Sequence, residues 1–225
     1  MRTPEEFLES LEAMIQPYHD QLVEHPAIVR IHTGEAPVDQ IRRYLTYQYY
    51  NTRETVARIL NRAGRAPNDE IRDMLIRHAS EELGHPEMAL RTAEHFGMDP
   101  EAIARAPVPF WIDYQVSWKW RMSCLGSFAE NAAAVAVAEE GPFPYQCEKV
   151  REGLRRHYGV ADERLLEYFT VHMMADKDHK ENGRRILLRH ATTEELRAKA
   201  LTAARRNLTL MLRIHDEIDS GRWTM

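Results

Sequence analysis

Three observations predict an all-α protein. No segment alternates apolar and polar residues for long. Apolar residues recur at helical spacing through almost the whole chain, and each periodic stretch is bounded by capping or breaking residues. The expectation is one bundle of seven or eight helices over residues 1–225, a length that can bury roughly 70% of the unfolded surface.

The elements follow in order. Thr3-Pro4-Glu5-Glu6 is a helix start, with an N-cap threonine, a proline in the first turn and acids facing the positive end of the helix dipole. That helix runs through Phe7, Leu8, Leu11, Met14 and Ile15 towards His25-Pro26. A turn at Thr33-Gly34-Glu35 precedes a second helix, patterned by Ile41, Tyr44, Leu45, Gln48, Thr52, Val56 and Ile59 and ended by Ala63-Gly64. Asn68-Asp69-Glu70 caps a third, predicted to reach about Phe96 although Gly84 and Pro86 lie inside it. From Val108 to Glu140 the chain is aromatic and then alanine-rich, which predicts one or two buried helices. Three more are expected at about 145–158, 162–190 and 192–219.

Composition narrows the class. Apolar residues make up 44% and charged residues 29%, an ordinary globular balance. A net charge of −5 gives no support for a nucleic-acid surface. Cys124 and Cys147 follow no metal or redox spacing and are expected to be buried thiols. The acidic N-terminus and the lack of any long apolar run predict a cytoplasmic protein that does not enter a membrane.

Chemistry concentrates in three stretches. On a helix, His172 and Asp176 are four residues apart and Asp176 and His179 three, so two imidazoles and a carboxylate share one stripe. Glu81-Glu82-Leu83-Gly84-His85 offers an acid either three or four residues before a histidine, with His78 on the same stripe. Glu139-Glu140 closes a run of seven apolar residues, where acids seldom sit without a partner. One of Glu81 or Glu82, His85, one of Glu139 or Glu140, His172, Asp176 and His179 make six nitrogen and oxygen ligands without a thiolate. Such a set suits iron or manganese better than structural zinc. A substrate pocket is expected to be lined by Arg43, Tyr47, Tyr50 and Tyr114, with Trp111 and Trp118 nearby.

At these residues the chain resembles the haem-oxygenase-like α-bundle superfamily, which includes the TenA thiaminases and the PqqC quinone synthases. It is most similar to the CADD-like di-iron oxidases. The motifs are Ile41-Arg42-Arg43-Tyr44 with Tyr49-Tyr50-Asn51-Thr52, Glu81-Glu82 with His85, Glu140 before Pro142, and His172, Asp176 and His179. The resemblance implies metal ligands from Glu81 or Glu82, His85, Glu140, His172, Asp176 and His179. It implies two Fe(II) ions, with manganese as the variant, and dioxygen as co-substrate. The implied reaction is oxidation of a small amino-acid-like or carboxylic-acid substrate by a homodimer. Two departures stand out. Met88 occupies the place two turns after the glutamate where the CADD-like pattern has histidine, while His85 sits one turn after, as in fatty-acid-decarboxylating relatives. No tyrosine stands near Ala27 and Ile28, where the CADD-like enzymes consume their own. The competing expectations are a cofactorless PqqC- or TenA-like enzyme acting on a small heterocycle, and a non-catalytic metal-binding bundle.

Overall fold

A computed structural model describes residues 3–224, without the side chains of residues 175–178. Among the described residues all regular structure is helical. The helices are α1 (Pro4–Val23), α2 (Pro26–Thr33), α3 (Val38–Thr52), α4 (Thr55–Ala63), α5 (Asp69–Glu81), α6 (His85–His95), α7 (Pro100–Arg105), α8 (Phe110–Leu125) and α9 (Phe128–Asn131). A π-helical segment, Ala132–Glu139, precedes α10 (Phe143–His157), α11 (Glu163–His190) and α12 (Glu194–Ser220).

The start of α1 is a capping box: Glu6 N–H donates to Thr3 Oγ1 at 3.1 Å and Thr3 N–H to Glu6 Oε2 at 2.7 Å. Several expected helices are divided. The second breaks between α3 and α4, where side chains compete for backbone carbonyls. Thr52 Oγ1 donates to Gln48 O at 2.8 Å, and Thr55 Oγ1 and Arg58 Nη2 donate to Asn51 O at 3.3 and 3.2 Å. The third breaks at Gly84, whose φ of +86° is a left-handed conformation that ends α5 and begins α6. The helices α2 and α7 carry too few periodic apolar positions to be read from the sequence.

The alanine-rich run is the least expected element. It forms a π-helix closed by Glu140 N–H donating to Val135 O at 3.1 Å, an i to i−5 bond. Small side chains let it pack between α11 and α12. Gly183 of α11 makes the tightest approach: a Cβ there would stand 2.6 Å from Ala136 Cβ. Gly183→Ala must therefore part the two elements. The expected cost is about 1–3 kcal/mol, a melting temperature lower by roughly 2–4 °C per kcal/mol, and reduced metal content; thermal melting and metal analysis check it.

Two apolar clusters form the core. One centres on α2, α3, α6, α10 and α11, with Tyr44, Tyr47, Phe169 and Leu154. The other centres on α1, α5, α12 and the π segment, with Leu11, Ile71, Leu208 and Val137. A cavity of about 1080 Å³, counting its open mouth, takes lining residues from both, including Tyr47, Phe143 and Tyr168 from the first and Ile59, Leu75 and Met211 from the second. No helix is long and apolar enough to cross a membrane among the described residues.

Candidate metal centre

The break at Gly84 aims the acid and histidine of α5 and α6 into the bundle, opposite α11. Two triads result. Glu82, His85 and His172 are all buried, and ligand-type atoms of the three lie within 4.8 Å of one another. His78, Glu82 and His179 form a second group by the same measure. Glu82 belongs to both. Its Oε2 accepts from His85 Nδ1 at 3.1 Å, while its Oε1 faces His78 Nε2 at 3.4 Å and His179 Nδ1 at 3.9 Å. One carboxylate thus turns one oxygen to each triad. The rings of His85 and His172 are 4.5 Å apart, and those of His78 and His179 3.8 Å.

Neighbouring groups orient the imidazoles. His172 Nδ1 lies 2.7 Å from Tyr168 O, an acceptor only, so that nitrogen carries the proton and Nε2 is left with its lone pair. Burial is the main reason His172 is held neutral down to about 4. His179 Nε2 meets Glu81 Oε2 at 3.0 Å, which turns Nδ1 inward. Burial pushes the Glu82 carboxyl up, but the close contact with His78, the hydrogen bond with His85 and the charges of the nearby histidines outweigh it and hold the group well below the usual carboxylate range.

The structure separates the paired acids. Glu81 is exposed and stands behind His179, on the side away from Glu82. Glu140 reaches the centre, with Oε2 3.7 Å from His179 Nδ1; that oxygen is buried without a hydrogen-bond partner. Burial, with Glu82 and Glu139 nearby, raises its pKa despite His78 and His179. Glu139 turns the other way. It accepts from Lys119, from Asn51 Nδ2 at 3.1 Å and from Asn207 Nδ2 at 2.7 Å. The side chain of Asp176 lies outside the described residues.

Of the expected pocket residues, Tyr47 lines the cavity and its hydroxyl donates to Gln115 Oε1 at 3.4 Å. The others stand elsewhere. Arg43 donates from Nε to Ile218 O at 3.1 Å, and Tyr50 donates to Ile103 O at 2.6 Å, each tying helices together outside the cavity. Tyr114 is half exposed beside Phe110 and Trp111 on a surface groove, and Trp118 packs near Met122 and Ala134. Cys147 is buried as expected but Cys124 is exposed, and neither lines the cavity. Sequence reading missed the cavity's basic groups Arg58, Arg62 and Lys119, and left His78 out of the ligand set. The spacing of Arg58 and Arg62 at i, i+4, and a lysine between two tryptophans, were the available signals.

Against families of known proteins, residues 42–211 match a model described as an iron-containing redox enzyme of haem-oxygenase-like type. The chain belongs to this family. The chain is 24% identical to a 4-aminobenzoate synthase from Nitrosomonas europaea, covering 94% of this chain and 90% of the relative. It is 28% identical to a pyrroloquinoline-quinone synthase from Rhizobium meliloti, covering 85% and 77%. The fold matches a TenA homologue from Pseudomonas syringae with a TM-score of 0.84 at 19% identity, over 94% of this chain and 92% of that one. A haem-oxygenase-like domain from Shewanella denitrificans gives 0.80 at 20% identity, over 95% and 92%. For a member of an iron-containing redox family, the donor set fits. The histidine nitrogens and carboxylate oxygens suit iron, and Glu140 brings a buried oxygen that lacks a hydrogen-bond partner.

Proposed function

We propose that the protein is a dioxygen-dependent oxidase that holds two iron ions, or iron and manganese, and oxidises a small amino-acid-like or carboxylic-acid substrate. The observation that carries this reading is Glu82, which offers one carboxylate oxygen to His85, in the group completed by His172, and the other to His78 and His179. A buried carboxylate shared between two histidine pairs would suit a pair of cations held side by side. Glu140 would serve the His78–His179 side, with Asp176 as a further ligand from α11.

Iron bound there would supply the one-electron chemistry by which dioxygen reacts with a closed-shell organic molecule. The remaining work belongs to the chain. Glu81 and the Tyr168 carbonyl hold His179 and His172 in the tautomers that coordinate metal. Tyr47, Phe143 and Tyr168 give the adjoining cavity aromatic walls that exclude water and hold a small organic molecule. The relatives' names, a 4-aminobenzoate synthase and a pyrroloquinoline-quinone synthase, favour a small ring-bearing or amino-acid-derived substrate.

The test is anaerobic Fe(II) loading, metal analysis, and mixing with dioxygen while the visible spectrum is followed. Two irons per chain and a transient band are expected. Negligible iron would instead favour a cofactorless enzyme whose histidines and acids bind an organic ligand. Proton competition gives a second readout. Burial pulls His78 down, but the close contact with Glu82 and the charges of Glu140 and Glu82 outweigh it, so its pKa is raised. Metal must displace any proton that His78 carries, so affinity should fall as pH drops; Fe(II) titrations at about pH 6 and about pH 8 measure it.

A further inference from the structure

The cavity has a second feature, on the α4 wall beside the histidines. Arg58 and Arg62, four residues apart on α4, both line it. Arg58 is 7% exposed, and its Nε is buried without a hydrogen-bond partner. Its Nη2 is anchored to Thr55 Oγ1 at 2.7 Å and Asn51 O at 3.2 Å. Arg62 keeps a buried Nη2 without a partner, and its guanidinium stands 5.5 Å over the Phe128 ring. Among the described residues neither arginine has a carboxylate within ion-pair distance. Of the nearby acids, Glu139 is engaged with Lys119, Glu82 with the histidines, and Glu54 with Arg53 and the Trp120 indole, while Glu140 faces His179. The wall itself is held in place, because Ser123 Oγ of α8 donates to Arg58 O at 2.6 Å and Arg65 Nη1 donates to Ser123 O at 2.5 Å.

Burial lowers the pKa of Arg58, and that of Arg62 to about 10, so both remain cations at neutral pH. Two buried, fork-shaped donors with vacant N–H groups beside a redox site are suited to a planar anion. We propose that Arg58 and Arg62 form the subsite for a carboxylate of the substrate. The oxidisable part would then extend along the cavity towards Glu82 and Glu140. The assignment rests on the metal-centre reading in one respect. Glu140 acts on both arginines from a distance and Glu82 on Arg58, and metal binding would take up the charge of these two acids, leaving the arginines with less nearby negative charge.

Benzoate and its neutral isostere benzamide serve as probes, titrated calorimetrically into metal-free and Mn(II)-loaded protein. Benzoate should bind at least tenfold more tightly than benzamide, and more tightly again with Mn(II) present. Arg62→Gln should abolish the preference without changing Mn(II) content or helical signal. Arg62→Lys, which keeps the charge and loses the fork, should weaken benzoate binding at least threefold. Equal binding of the two probes, no measurable benzoate binding, or a preference that survives in Arg62→Gln would overturn the assignment. If the parent protein takes up no Mn(II), the metal-centre reading falls, while the metal-free titration still decides the arginine site.

Discussion

Glu82→Gln is expected to strip both metals from the protein together. The substitution keeps the size of the side chain and removes its charge, so packing against α5 and α6 is nearly preserved. Both triads contain this one carboxylate, one through each oxygen. Loss of an outer partner of a ligand costs about 10–100-fold in metal affinity, and loss of a ligand common to two sites should exceed that range. Glu81→Gln makes the contrast. Glu81 meets the outward nitrogen of His179, so its loss should lower affinity by roughly tenfold, on one side of the centre. Metal content by elemental analysis, with far-UV circular dichroism as the check on folding, separates the two. Retention of one full equivalent of iron by Glu82→Gln would show that the two sites are independent.

Lys119→Met should destabilise the protein by about 3–5 kcal/mol. The ammonium is 1% exposed and is bound to Glu139 and, at 2.5 Å, to Asn51 Oδ1. Burial pushes its pKa down to about 8, against the pull of Glu139, so it is charged at neutral pH. The Glu139 carboxyl is pushed up by burial but held below its ordinary value by Lys119 and Asn207. Removing the lysine leaves a buried carboxylate whose remaining partners are the two amides, and that uncompensated charge is the source of the loss. Glu139→Gln in the same chain should recover most of it, since the amide oxygen can still accept from Asn207 Nδ2 and its NH2 can donate to Asn51 Oδ1, which loses Lys119 and is free to turn towards it. Denaturant unfolding of the parent, both single variants and the double variant measures the coupling. A double variant no more stable than Lys119→Met would mean that the pair is not an energetic unit.

The acid pairs show where sequence reading stops. Glu81 and Glu82 are offset by about 100° on a helix, so spacing says that one of them faces a shared site but not which. Register against α11 decided it, placing Glu82 among four histidines and Glu81 behind one. For Glu139 and Glu140 the decision came from the π-helix. Its wider turn alters the register of the residues that follow, and an alanine run carries no signal for it. His78 was visible on the stripe of His85, but the break at Gly84 put the two in different triads around Glu82, His78 with His179 and His85 with His172.

Residue chemistry and helical period alone determined the all-α class, the capping of α1 and α5, and three stretches able to offer nitrogen and oxygen ligands. These are local properties, because an N-cap or an i, i+4 pair is complete within one turn of chain. Tertiary structure alone decided which acid of each pair faces the histidines. It also decided that Arg43, Tyr50 and Tyr114 stand away from the cavity, and that Arg58, Arg62 and Lys119 line it. Burial and ion pairing depend on what other helices bring within a few ångströms, and no spacing along a single helix carries that information.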